Sequence, residues 1–184
     1  MEALQKIDVN TLLWIQDHLR FEQITPAMKF ITTLGNAGIV WIVITAILLL
    51  IPRYRRAGFA SLIALALGFL ITNVFLKNTI ARVRPYDTIN GLNLLVARAT
   101  DWSFPSGHAC SSFASASSIA MLEYKKEGTV ALILATLIAF SRLYVGIHYP
   151  SDVLVGIVIG ILCARISCFV VNRTIELHQR RKNR

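Results

Sequence analysis

The chain has 184 residues, of which 55% are hydrophobic and 16% charged, with 19 Lys and Arg against 10 Asp and Glu. Soluble domains run at roughly 45–50% and about 25%. So high an apolar content excludes disorder, and three scattered cysteines (Cys110, Cys163 and Cys168) do not make a disulfide-stapled secreted domain. A net charge of +9 first suggests nucleic acid, but the apolar residues fall into long uncharged runs that suit a bilayer instead.

In chain order, residues 1–34 are expected to form an interfacial helical region, with one or two amphipathic helices over 9–34. Acidic residues throughout Met1 to Glu22 argue against a signal peptide. Gly35, Asn36 and Gly38 loosen the chain before the first apolar run, Ala37 to Ile51, whose uncharged stretch begins at Phe30. The second run, Gly58 to Leu76, alone approaches the ~20 residues a helix needs to cross about 30 Å of hydrocarbon. The third, Ala109 to Leu122, sets Ser111, Ser112, Ser115, Ser117 and Ser118 among alanines. It is a poor span by hydropathy, but small residues suit the close-packed centre of a membrane bundle. Gly128 to Ile147, interrupted by Arg142, and Val153 to Asn172, interrupted by Arg165, complete five predicted transmembrane helices. The expected fold is an all-α polytopic membrane bundle, with residues 1–184 as a single membrane-embedded domain.

Five spans alternate sides. The loop at 52–56, the loop at 125–127 and the C-terminus, taken with flanking helix ends, share a face with 11 basic and 3 acidic residues, a net of +8. The opposite face nets +1. The positive-inside rule makes the first face cytoplasmic. The tail at 177–184, including Arg180, Arg181, Lys182 and Arg184, reads as an anchor near anionic lipid rather than a nucleic-acid patch.

The nearly neutral outer face holds three polar clusters: Lys77 to Arg84 and Pro85, Phe104 to His108, and Ser141 to Asp152. Lys77, Arg84 and Arg142 form a cation set with no matching carboxylate cluster in sequence, as a phosphate oxyanion requires. Pro105, Ser106 and Gly107 open a helix whose free N–H groups favour an anion. His148 precedes Asp152 by one helical turn, the spacing of a nucleophile or base with a carboxylate behind it. His108 is the candidate acid for a leaving oxygen. Singly, each feature has a plainer reading as an interfacial anchor, a helix start or a solvated histidine. Their joint occurrence on one side favours the chemical one.

Together, Lys77-x6-Arg84-Pro85, Pro105-Ser106-Gly107-His108 and Ser141-Arg142-x5-His148-x3-Asp152 resemble the three-part signature of the type 2 phosphatidic acid phosphatase superfamily. The resemblance implies a compact helical bundle, a metal-independent phosphatase without cofactors, and in membrane members a site on the extracytoplasmic side. It implies that His148 is the nucleophile that forms a phosphohistidine, with Asp152 orienting it. His108 would be the general acid and then the base for water. Lys77, Arg84, Ser106, Gly107 and Arg142 would bind the phosphate. Bacterial membrane relatives commonly have six spans, whereas five are expected here.

The implied partner is a membrane lipid phosphate, with undecaprenyl diphosphate first and phosphatidylglycerophosphate or phosphatidic acid as alternatives. A phosphotransferase on the same scaffold, and a non-enzymatic lipid-phosphate binder or transporter, stay open at this point, as does oligomeric state. Arg82 and Arg98 are either further phosphate contacts or surface charges. The segment from Tyr86 to Trp102, with Leu92, Leu94, Leu95 and Val96, is either a lid or a packed connector.

Overall fold

The computed structural model describes residues 2–122 and 124–182. The elements are α1 (Glu2–Leu19), α2 (Thr25–Leu34), α3 (Ile39–Leu50), α4 (Arg55–Phe69), α5 (Lys77–Ile80), α6 (Pro85–Thr88), α7 (Gly107–Met121), α8 (Lys125–Tyr144) and α9 (Pro150–Lys182). No strand occurs among the described residues.

The region before the first apolar run is two helices, α1 and α2. The expected loosening at Gly35 to Gly38 is a short 3-10 turn with Ala37 and Gly38 at positive φ. It bends α2 against the following helix by 49°. Among the described residues three segments are long and apolar enough to cross a membrane, Pro52–Thr88, Lys125–Tyr144 and Pro150–Lys182, and the bent pair Thr25–Leu34 with Asn36–Leu50 passes the same test when taken as one broken span. Their outer faces are apolar. On α9, Leu154, Val158, Leu162, Ile166 and Phe169 form a stripe that is more than half exposed. Such a stripe in water would be an aggregation hazard; on a spanning helix it meets lipid. The chain is a multi-pass membrane protein.

The serine-rich α7 is 15 residues long, about 22 Å, and falls short of a full crossing. It sits in the middle, packed on α4, α8 and α9. Its hydroxyls are spent inside the bundle. Ser112 accepts from Trp41 Nε1 (2.8 Å), and Ser115 joins Ser61 (2.7 Å) and Thr45 (2.6 Å) in a chain across α7, α4 and α3. Buried hydroxyls must be paired, so this ladder lets a polar helix occupy an apolar interior.

Gly156 and Gly160 bring α9 onto α7. A Cβ at either position would lie 2.5 Å from a backbone oxygen of the other segment, Ser106 O or Cys110 O. Gly156→Ala is therefore expected to force the helices apart and cost about 1–3 kcal/mol. Thermal unfolding in detergent should show a fall of roughly 2–4 °C for each kcal/mol. An unchanged melting temperature would contradict the packing.

Between α4 and α5 the helix runs as a π-helix over Leu70–Leu76. Such stretches concentrate at functional sites. This one delivers Lys77, almost fully buried, to the end of the bundle where the loops meet.

Candidate active site

A cavity of about 1250 Å³ opens at that end. One part is lined by Lys77, Arg84, Gly107, His108, Arg142 and His148; the other by apolar side chains of α3 and α4, among them Ile42, Leu49, Leu62, Leu65 and Phe69. The three clusters, far apart in sequence, thus share one wall. Ser106 and Asp152 stand directly behind it.

Each polar group has a structural reason for its place. Ser106 caps α7, its hydroxyl accepting from Ala109 N (3.4 Å), and its own N–H donates to Asp152 O (3.0 Å). The first turn of α7 therefore points its free N–H groups and positive dipole end at the cavity. The His108 ring lies against Gly35, where a Cβ would come within 2.5 Å of it, and its Nε2 is 3.1 Å from Asn36 Oδ1. The turn between α2 and α3 is thus part of the site.

His148 follows Gly146, whose φ of +79° turns the chain between α8 and α9. Its ring is fully buried. Nδ1 lies 3.5 Å from Asp152 Oδ2, too long for a well-formed hydrogen bond, and Nε2 lies 3.4 Å from Arg84 Nη1. A guanidinium can only donate. Nε2 is therefore the bare nitrogen, and Nδ1 carries the proton toward the carboxylate. Burial is the main force pushing the imidazole pKa down, to about 3; Asp152 opposes it, and Arg84 and Arg142 add to it. His148 is accordingly expected to stay neutral well below the usual histidine pKa of about 6.5. Nitrogen-15 NMR of histidine-labelled protein in micelles should show its imidazole neutral at pH 5; protonation near pH 6.5 would contradict the burial.

The cations are unequal. Arg84 donates to Asp101 Oδ1 (2.6 Å), Asp101 O (2.9 Å) and Ile147 O (2.8 Å), and Lys77 is also paired with the Asp101 carboxylate. The expectation of cations without a carboxylate is corrected here: Asp101, on the loop before α7, serves two of them. Burial alone would raise its pKa, but Lys77 and Arg84 hold it down at about 2. Arg142 differs. It is buried, gives one N–H to Thr32 Oγ1, has no acidic partner among the described residues, and leaves its Nε unpartnered. An orphaned guanidinium facing a cavity is poised for an anion.

The two arginines left open are settled by contacts. Arg98 pairs with Asp87 (2.6 Å) at the surface. Arg82 does not line the cavity; it donates to Asp152 Oδ1 (2.6 Å) and Asp8 Oδ2 (2.7 Å). In the 86–102 segment, Leu92 is buried beside Leu12 and Tyr149, while Leu95, Val96 and Ala99 pack on Val145 and Ile147 and also roof the cavity. It is a packed connector that forms the roof. Asp101, Thr32 and Asn36 carried no motif. They reach the site only through tertiary folding.

The chain is similar to known proteins in sequence and in fold. Over 133 residues the chain is 35% identical to an undecaprenyl-diphosphatase of Sulfolobus acidocaldarius, covering 72% of this chain and 64% of that protein. Over 116 residues it is 40% identical to undecaprenyl-diphosphatase BcrC of Bacillus subtilis, covering 60% and 56%. The chain thus spans less than two thirds of the length of these curated relatives. The structure superposes on Aquifex aeolicus LpxE with a TM-score of 0.78 at 26% identity, covering 88% of this chain and 94% of that one. It superposes on a PAP2-type phosphatidylglycerolphosphate phosphatase from Bacillus subtilis with a TM-score of 0.72 at 28% identity, covering 96% and 88%. The PAP2 superfamily model matches residues 57–176, which include all three clusters and most of the bundle around them; the chain belongs to the PAP2 superfamily.

Proposed function

We propose that the protein is a metal-independent lipid-phosphate phosphatase whose first substrate is undecaprenyl diphosphate, converted to undecaprenyl phosphate. The observation that carries this reading is Arg142, a buried cation without an acidic partner among the described residues, in a cavity shared with Lys77, Arg84, the start of α7 and two histidines. The apolar half of the same cavity suits the chain of a lipid whose phosphate sits at the cationic end. Two of the relatives carry the name undecaprenyl-diphosphatase, which favours a polyprenyl diphosphate.

In this mechanism the terminal phosphate is held by Lys77, Arg84, Arg142 and the free N–H groups of the first turn of α7 at Gly107 and His108, with Ser106 capping that turn from behind. His148 Nε2 attacks phosphorus, and the bond to the bridging oxygen breaks. His108 gives that oxygen its proton. Asp152 holds the Nδ1 proton and stabilises the charge gained by the ring. Water then attacks the phosphohistidine and gives a proton to His108, which releases phosphate and restores both histidines. Charge stabilisation by three cations and a helix terminus is what phosphoryl transfer mainly demands.

The whole chain acts as one domain in this reading. Five helices lie within the bilayer, with α7 shielded at the centre, α1 at the interface, the site on the extracytoplasmic side and the basic tail in the cytoplasm.

The test is phosphate release by the purified protein from detergent-solubilised undecaprenyl diphosphate, phosphatidylglycerophosphate and phosphatidic acid, with a chelator present and absent. Undecaprenyl diphosphate is expected to turn over fastest and chelation to change nothing. Strict magnesium dependence would overturn the metal-free chemistry. A better phosphatidylglycerophosphate rate would reassign the substrate.

A further inference from the structure

We infer that Arg82 and Asp8 are a positioning pair that holds Asp152 in the orientation His148 requires, so that helix α1 belongs to the catalytic apparatus. The inference rests on the proposed role of Asp152.

Asp152 is fully buried and its two oxygens face different partners. Oδ2 accepts from Ser103 Oγ (2.5 Å) and Tyr149 N (3.0 Å) and is the oxygen nearest His148. Oδ1 accepts from Arg82 Nη1 (2.6 Å). The direction of the carboxylate therefore depends on where the Arg82 guanidinium is fixed.

That guanidinium is clamped on three sides. Nη2 donates to Asp8 Oδ2 (2.7 Å), Nη1 also donates to Ser151 Oγ (2.7 Å), and the Tyr149 ring lies 3.8 Å away beneath it. Asp8 comes from α1, 74 residues earlier in the chain, and is itself buried. It also accepts from Ser151 N (2.9 Å) and Ser151 Oγ (2.5 Å), beside Asp152 on α9. A carboxylate is rarely buried without such partners. Here every one of them belongs to the segment that carries Asp152 or to Arg82.

The backbone supports the same reading. Ala81 sits in the left-handed region (φ 48°), a strained conformation for alanine. Such strain persists where surrounding structure over-determines it and clusters at functional sites. The turn it makes ends α5 and sends Arg82 to Asp152 and Arg84 to the opposite edge of the same imidazole, at Nε2. Arg82 does not line the cavity, so it acts through Asp152 and not on phosphate.

Arg82→Lys offers one ammonium where a fork reaches two carboxylates. Asp8→Asn keeps the shape and removes the charge. Both are expected to lower kcat with KM unchanged, by roughly 10–100-fold if they behave like the outer carboxylate partners of other functional histidines. In both, the nitrogen-15 shifts of His148 should move as its Nδ1-protonated tautomer loses preference. Leu12→Ala, which loosens the apolar seat of α1 without touching these charges, serves as the control. It should lower the melting temperature and leave kcat at its wild-type value below melting. If Leu12→Ala slows kcat as much as Asp8→Asn, α1 acts by packing alone and the inference is overturned. It is also overturned if Asp152→Asn is slow while Arg82→Lys and Asp8→Asn turn over at the wild-type rate with unmoved His148 signals. Wild-type activity in Asp152→Asn itself would instead sink the underlying role of Asp152.

Discussion

His148→Ala should remove phosphate release while the protein still inserts, folds and binds lipid phosphate. The loss expected for deleting a nucleophile is about four orders of magnitude or more, leaving only what the remaining charge stabilisation supplies. The geometry explains why no other group takes over. Nε2 of His148 is the bare nitrogen at the cationic end, 3.4 Å from Arg84, whereas the second histidine lining the cavity, His108, has its Nε2 against Asn36. Lys77, Arg84 and Arg142 all persist in the variant, so affinity for inorganic phosphate should hold within a few-fold. Single-turnover release from undecaprenyl diphosphate, read beside phosphate binding, separates lost chemistry from lost binding. In the wild type, acid quenching should trap an acid-labile phosphoenzyme that His148→Ala cannot form. A variant that retains the wild-type rate would end the phosphohistidine mechanism.

Asp152→Asn should reduce kcat by roughly 10³–10⁴-fold, the scale seen when the carboxylate behind a catalytic histidine becomes an amide. Both orientations of the amide are unfavourable. With its NH2 at the Oδ1 position it meets Arg82, a donor against a donor. With its NH2 at the Oδ2 position it meets Tyr149 N and the ring nitrogen of His148, and it now favours the proton on Nε2, the nitrogen that must attack. The variant also removes one of the two carboxylates paired with Arg82, which keeps Asp8, and so lowers stability as well. Rates should therefore be compared well below its melting temperature. A pH-independent loss in kcat with an Nε2-protonated His148 by NMR is the expected signature. Unaltered kcat would show that the Nδ1 proton needs no carboxylate.

Much of this site was legible because its chemistry sits in short segments. The turns at Lys77–Arg84, Pro105–His108 and His148–Asp152 each place their groups by local geometry, and the small residues of α7 marked it for the centre of the bundle. The illegible part is carried by pairings between distant segments. Asp101 neutralises Lys77 and Arg84 from a loop without regular structure, and Asp8 was one acid among several in the interfacial region. Its burial is a property of Arg82 and Ser151, not of α1. Gly35, Asn36 and Gly38 marked the break between α2 and α3, but not its angle, because the positive φ of Ala37 has no signal in an alanine. Nor did hydropathy locate the π-helix before Lys77, where no proline or glycine marks the wider turn.

The contacts of Gly156 with Ser106 O and Gly160 with Cys110 O have a consequence for tolerance to change. The segment that carries His148 and Asp152 is gauged against the segment that carries His108 by backbone touching backbone. Side chains can re-pack, tilt or trade volume; two main chains already in contact cannot come closer. The gap between the two histidine-bearing segments is thus set by a rigid ruler, indifferent to most substitutions in the surrounding helices. Drift on the lipid-facing surfaces can alter how firmly the bundle holds together while the spacing between the two histidine-bearing segments stays the same.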